Sequence, residues 1–167
     1  IKWVAEHSGA RVLDRPPEYA EDTSSSEDAL LHFAASVDFD VLVFIQPTSP
    51  LLTHDHVNSA LKKIDSTENT SIVSVYEEHW LPRWKNYGSE GGILPDKFSL
   101  AERPRRQDVP LSYVENGALY VTRKQMLLES DCRVSGRIQP LVMKYSESFQ
   151  VDTMDDVYII EKLLGGR

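Results

Sequence analysis

Val41-Leu42-Val43-Phe44-Ile45-Gln46-Pro47-Thr48-Ser49-Pro50-Leu51-Leu52 is the stretch whose reading decides the fold. Its first five residues are an unbroken apolar run of strand length, rich in β-branched side chains. Such a run reads as a strand buried on both faces, and so as the centre of a parallel sheet. The run ends at Gln46-Pro47, because proline has no N–H for the ladder and holds the preceding residue extended. An amide, two hydroxyls and two prolines then lie beyond the carboxyl end of the strand. In open α/β sheets that edge is where ligands bind. The same residues would also make an ordinary turn, so the rest of the chain has to decide.

Working outward, the downstream side offers Thr53 as the cap of a helix with Val57, Ala60, Leu61 and Ile64 on its apolar face, then a strand over residues 71–76. Upstream, Ser24 and Glu27 have the spacing of a capping box, and the helix they open runs to about Val37 with Leu30, Leu31, Phe33 and Ala34 towards a core. Before it come a loop at residues 14–17, a short strand candidate at 10–13, and a helix tail with Ile1, Val4 and Ala5 on one side, stopped by Gly9. Strand and helix alternate, which predicts a three-layer α/β domain with a mostly parallel central sheet.

Residues 77–110 break the alternation with Trp80, Trp84, Tyr87, three glycines and four prolines. A long aperiodic segment in a compact domain is usually functional. The expectation is one domain over 1–167, with 77–110 inserted as a lid or dimerisation segment. Strands follow at 114–121 and 138–145, with a helix at 124–129 between them. An extended piece at 149–152 leads to a last helix, capped by Thr153 and carrying Asp155 and Asp156 in its first turn.

Composition narrows the function classes. With 167 residues, 41% hydrophobic and 26% charged, the chain can build a real core and is an ordinary globular sequence. A net charge of −8 argues against non-specific nucleic-acid binding, so any anionic ligand has to be met by a local basic cluster. No apolar run approaches membrane-spanning length, and no signal peptide opens the chain. The single cysteine, Cys132, excludes an internal disulfide and fits a reducing compartment such as the cytoplasm.

Three features carry candidate chemistry. Arg103, Arg105 and Arg106 form a dense cationic cluster in an acidic chain. It could be a solvated loop or a basic patch, but guanidinium forks also suit carboxylate or phosphate recognition. Asn116-Gly117 interrupts an apolar strand, as a bulge does, or as a strand does where a ligand approaches the backbone. Gln150 and Asp152 alternate onto one face of an extended piece, where Asp152 could hold a divalent cation or simply precede a helix. The five histidines show no metal-ligand spacing.

Taken in order, Gln46-Pro47-Thr48-Ser49-Pro50, Arg103-Pro104-Arg105-Arg106-Gln107-Asp108 and Asn116-Gly117-Ala118-Leu119-Tyr120 resemble the acylneuraminate cytidylyltransferases. The segment from Arg15-Pro16-Pro17 through Ser24-Ser25-Ser26 is similar to that family's strand-to-helix loop, so the resemblance covers nearly the whole chain. It implies a Rossmann-like nucleotidyltransferase fold, and an enzyme joining CTP to an acidic nine-carbon sugar such as N-acetylneuraminate with release of pyrophosphate. It also implies Mg²⁺, a homodimer, and a cytoplasmic location, or a nuclear one in an animal. By the match, Arg15, Ser26, Pro47 and Thr48 face the cytidine, and Gln46 bridges towards the sugar. Arg106, Asn116 and Tyr120 hold the sugar acid, with Arg106 on its carboxylate. Lys85, or Arg83 under a different gap placement, adds a cation, and Asp152 is the metal carboxylate. The alternatives are a non-catalytic relative that binds a sugar acid or a partner, and a nucleotidyltransferase for another acidic sugar.

Two departures from the family accompany this. Its opening strand and Gly- and Lys-containing triphosphate loop would lie before Ile1, so the 167-residue chain is expected to be inactive alone and prone to aggregate through exposed strand surface. Its Asp-x-Asp metal pair reads Gln150-Val151-Asp152 here, leaving one carboxylate.

Overall fold

A computed structural model describes residues 1–65, 70–79, 82–87 and 91–165. Trp80 and Gly88, grouped above with the aperiodic segment, lie outside the described residues. The elements in chain order are α1 (Lys2–His7), α2 (Ser26–Ser36), β1 (Val41–Ile45), α3 (His54–Asp65), β2 (Thr70–Glu78), β3 (Arg83–Tyr87), β4 (Gly92–Asp96), β5 (Ser112–Arg123), α4 (Lys124–Ser130), β6 (Arg137–Met143) and α5 (Met154–Gly165). Short 3-10 turns cover Pro17–Tyr19, Arg106–Asp108 and Tyr145–Glu147. Four strands form one sheet in the order β1-β5-β2-β6, and β3 and β4 form a separate two-stranded ribbon. The molecule is an α/β fold, as the alternation predicts.

The sheet corrects the sequence reading at its decisive strand. β1 runs antiparallel to β5, with Val41 opposite Arg123 and Ile45 opposite Leu119. Within the described sheet β1 is flanked on one side only, and just one of its residues, Leu42, is buried. The sheet is mostly antiparallel with one parallel pair, where a mostly parallel one was expected. An apolar run reports the transfer preference of its side chains. It does not encode strand direction, which is set by how the later strand returns.

Contact density divides the chain into two units. The first comprises residues 1–45, 54–73 and 119–140. Its core joins Leu30 and Ala34 of α2, Leu42 of β1 and Leu127 of α4, with Leu31, Phe33, Phe39 and Phe44 packed against them. These are the positions the helical spacing selected on α2. On α3, Ala60 and Ile64 are fully buried, and full burial of a side chain such as Ile64 stabilises by about 1.5–3 kcal/mol. Two local expectations shift. Helix α2 is capped one residue later than read, by Ser25 with Asp28: the Ser25 hydroxyl accepts from Asp28 N (3.1 Å) and the Asp28 carboxylate accepts from Ser25 N (2.8 Å). Glu27 is drawn away instead by Arg133, whose Nη1 lies 2.6 Å from its Oε1. Residues 10–13 form no strand; they run irregularly and largely exposed, with Lys2 and Asp14 paired at 2.6 Å just beyond them.

The second unit comprises residues 46–53, 74–118 and 141–167. Part of the aperiodic segment is an ordered hairpin, in which Trp84 faces Pro95 and Lys85 faces Leu94 across the β3–β4 pair. All five β3 side chains are exposed. Helix α5 starts where the Thr153 hydroxyl accepts from Asp156 N (3.3 Å) and the Asp156 carboxylate accepts from Thr153 N (2.7 Å). Its Ile160 is buried.

Candidate functional site

The second unit brings three of the predicted segments together and also holds the arginine cluster. The loop after β1 folds back on itself through Ser49 N donating to Gln46 O (3.2 Å) and Leu52 N donating to Ser49 O (3.2 Å). Val151 N donates to Thr48 O (2.9 Å), which lays the 149–152 piece alongside that loop. Gln46 N donates to Ala118 O (3.4 Å), holding the loop against the Asn116-Gly117 step of β5.

Gly117 explains the step. Its φ of +68° lies in the left-handed region, which costs an L side chain strain. A Cβ there would fall on Gln150 Nε2 and come within 3.3 Å of Gln46 Oε1. The glycine therefore gives two carboxamides room to converge. Both glutamines are half-buried, and neither carboxamide has a hydrogen-bond partner among the described residues. Asn116 behaves differently. It is buried, its Nδ2 donates to Ser148 Oγ (2.9 Å) and lies 3.3 Å from Met143 Sδ, and its Oδ1 accepts from Ala118 N (3.2 Å). Its side chain is engaged within the protein, where it pins β5 to the 145–148 turn.

The arginine cluster is resolved residue by residue. Arg105 is held by Asp108 through two bonds of 2.6 and 2.9 Å. Arg103 lies over the Phe98 ring, 6.0 Å from its centre. Arg106 has no ion pair among the described residues and lines a cavity of about 290 Å³ with Tyr76, Glu77, Glu78, His79 and Tyr145. Glu78 is already met by Arg83, whose Nη2 donates to both its oxygens at 3.2 and 2.9 Å. That hydrogen bond and its charge raise the Arg83 pKa further, so of the two cations the match left open, Lys85 on exposed β3 is the uncommitted one. Burial, then the Glu78 charge, raises the Tyr76 hydroxyl above its ordinary pKa, so it remains a neutral donor.

The aromatic wall of this cavity escaped the sequence reading. Tyr145 meets Tyr76 edge-on with ring centres 5.2 Å apart, and Phe149 at 5.3 Å. The run Tyr145 to Gln150 thus connects the Arg106 cavity to the paired carboxamides. The signal is present as two aromatics four residues apart ahead of Gln150, but the sequence reading divides them between the end of one strand, at Tyr145, and the start of the extended piece, at Phe149.

The remaining predicted residues are placed as follows. Asp152 is exposed; its N donates to Asp156 Oδ2 (3.1 Å) and its carboxylate has no partner among the described residues. Among the described residues no group of three His, Cys, Asp or Glu side chains is placed to hold a metal ion. Pro47 is exposed and Thr48 half-buried beside Val151. Arg15, Ser26 and Tyr120 belong to the first unit. Arg15 is exposed before the 3-10 turn, and Ser26 is exposed as the first residue of α2. Tyr120 is buried, stacked on Phe44 at 5.9 Å with the Arg133 guanidinium 4.6 Å from its ring centre. No helix among the described residues is long and apolar enough to cross a membrane.

Comparison with known proteins now bears on this arrangement. No family model matches the chain. It is 34% identical over 165 residues to N-acylneuraminate cytidylyltransferase B of Danio rerio, covering 97% of this chain and 38% of that protein. It is 38% identical over 124 residues to the N-acylneuraminate cytidylyltransferase of Oncorhynchus mykiss, covering 72% of this chain and 28% of the relative. A Streptococcus agalactiae serotype V protein of the same name is 30% identical over 157 residues, covering 93% and 38%. The chain thus spans well under half the length of these curated relatives. Among solved structures, 4-diphosphocytidyl-2C-methyl-D-erythritol synthase from Anaerococcus prevotii superposes with a TM-score of 0.57 at 10% identity, over 86% of this chain and 68% of that one, which shows a shared fold. Over the residues they share, this chain is thus similar to the N-acylneuraminate cytidylyltransferases at 30–38% identity.

Proposed function

We propose that the protein of which this chain forms a part joins CTP to an N-acylneuraminate, giving the CMP-sugar and pyrophosphate. The observation that carries this reading is Arg106. Among the described residues it is the member of the arginine cluster without an intramolecular partner, and it lines a cavity in the unit that also holds Gln46 and Gln150. A guanidinium there suits a sugar carboxylate bidentately. The anomeric hydroxyl of the sugar would attack the α-phosphorus of CTP, with pyrophosphate leaving. Such transfer depends on positioning and charge neutralisation more than on covalent chemistry by the protein. In this reading Arg15, Ser26, Pro47 and Thr48 contact the cytidine side, Lys85 adds positive charge, and Asn116 and Tyr120 shape the sugar side. The Asp152 carboxylate is exposed and has no partner among the described residues, which fits a hard cation held by one carboxylate and substrate phosphates. Bound there, Mg²⁺ would supply charge neutralisation of the triphosphate.

The test is Arg106→Lys in the full-length protein. Losing the fork while keeping the charge is expected to weaken sugar-acid affinity by about 2 kcal/mol, read as a rise in sugar KM. An unchanged KM removes the assignment. Gln150 at a metal position favours a second reading, a non-catalytic relative. Folded full-length protein that releases no pyrophosphate from CTP, Mg²⁺ and N-acetylneuraminate would establish it.

The same reading makes 77–110 a dimerisation or lid segment. Trp84, Tyr87, Ile93 and Leu94 are exposed on the hairpin, and aromatic side chains are enriched at interface cores. Sedimentation of the full-length protein is expected to show a homodimer, and a monomer at high concentration excludes that role.

A further inference from the structure

The geometry points to Gln150 as a specificity-determining residue: with Gln46 it forms a pair of carboxamides over Gly117 that reads a neutral hydroxyl or acylamino group of the acidic sugar. This rests on the sugar-acid reading above and adds a residue that reading leaves without a role. Four observations support it. The Gln150 and Gln46 side chains approach one point, the place a Cβ would take on Gly117. Both are half-buried, and neither carboxamide is satisfied by a protein group among the described residues. The adjacent polar side chain, Asn116, is fully employed by Ser148 and Ala118 and is not free to serve. The backbone beneath is held left-handed by a glycine, so the space is kept open by the fold.

The chemistry selects the ligand class. A carboxamide offers two N–H donors and a carbonyl acceptor, whereas a carboxylate only accepts. Two carboxamides side by side can donate to and accept from hydroxyl or acylamino groups, which themselves do both. They carry no charge, so they contribute little to holding a divalent cation. Arg106 supplies the charge for the sugar carboxylate in the same unit, leaving the glutamine pair for the neutral functions. Gln150 is then a direct reader of the sugar, and the cation relies on Asp152.

The experiment measures binding separately from turnover. N-acetylneuraminate is titrated by calorimetry into the full-length protein with EDTA present, as wild type, Gln150→Ala and Gln150→Met. The second variant keeps the volume of the side chain and removes its hydrogen bonds. Both are expected to weaken the sugar Kd roughly tenfold, the effect of one or two lost hydrogen bonds. Mg²⁺ titrated alone is expected to bind the variants as it binds wild type. An analogue series lacking one hydroxyl or the acyl group at a time should contain one analogue that wild type and Gln150→Met bind equally. Equal sugar Kd in wild type and in folded Gln150→Met overturns the inference, as does a change confined to Mg²⁺ binding. If wild type itself binds no N-acetylneuraminate while binding CTP, the sugar-acid reading fails first and this inference falls with it. That result is distinct from one in which only the variants behave unexpectedly.

Discussion

β1 and β5 are paired neighbours of opposite character. β1 is Val-Leu-Val-Phe-Ile, without a polar atom in its side chains, yet Ile45 is 45% exposed and only Leu42 is buried. β5 begins Ser-Tyr-Val-Glu-Asn-Gly, a mixed sequence, yet residues 118–122 are all buried, Thr122 included. The apolar strand lies at one side of the described sheet, and the mixed one lies between β1 and β2. What differs is coverage, and within β5 it reaches only the second half, since Ser112, Tyr113 and Glu115 stay exposed while 118–122 are buried. Polar groups become affordable on β5 once they are satisfied, as Asn116 is by Ser148 and Ala118. A strand that carries an interruption such as Asn116-Gly117 gains from this central position, because the rest of it anchors the interruption.

The sharpest way to break the comparison is to truncate matching positions. Leu119 is fully buried and pairs with Ile45 across the ladder. Leu119→Ala is expected to cost about 2–5 kcal/mol, the range for cavity creation in a core. Ile45→Ala should cost less than about 1 kcal/mol, because its side chain already keeps much of its contact with water. Denaturant midpoints at unchanged slope would measure both. Equal losses would mean that β1 is as buried in solution as its sequence reads.

Gly117→Ala tests the anchored interruption itself. The left-handed backbone alone costs an L residue about 1–2 kcal/mol. The new methyl would also displace Gln150, so sugar affinity should fall together with stability. Loss of stability with unchanged sugar binding would separate the bulge from the ligand site.

The same contrast shows how far the sequence could be read. Helical periodicity placed Leu30, Ala34, Ala60, Ile64 and Ile160 correctly, because the 3.6-residue period directly reports which face is buried. Strand neighbours are not local, and nothing within Val41 to Ile45 says that β5 will return antiparallel beside it. The cap of α2 was ambiguous because three consecutive serines precede Glu27 and Asp28. Arg133, more than a hundred residues away, takes up the glutamate and leaves the aspartate to cap. At the site, the residue types of the arginine cluster and of Asn116-Gly117 were legible. Which arginine stays free depended on Asp108 and Phe98, and the engagement of Asn116 depended on Ser148, contacts that only the fold supplies.

The smallest effect sets a baseline for the comparison, because it belongs to elements outside both strands. Asp28 in the first unit and Asp156 in the second each accept backbone bonds at a helix start. The Ser25 backbone N–H, then its hydroxyl, holds the Asp28 carboxyl below its usual range. The Thr153 side chain, then the Thr153 and Asp152 backbone N–H groups, does the same for Asp156. A depressed folded pKa means that the stabilisation is present above the unfolded carboxylate value near 3.8 and is lost as pH falls through the lower folded value. Both carboxylates remain open to solvent, which screens them, so the contribution is small. Asp28→Asn and Asp156→Asn should each flatten the acid limb of the stability–pH curve below pH ~4, leave the neutral region nearly unchanged, and add independently, since each cap closes within its own helix. A slope that survives both substitutions would locate the acid sensitivity elsewhere, and the carboxylates lining the Arg106 cavity, Glu77 and Glu78, are the groups to examine next.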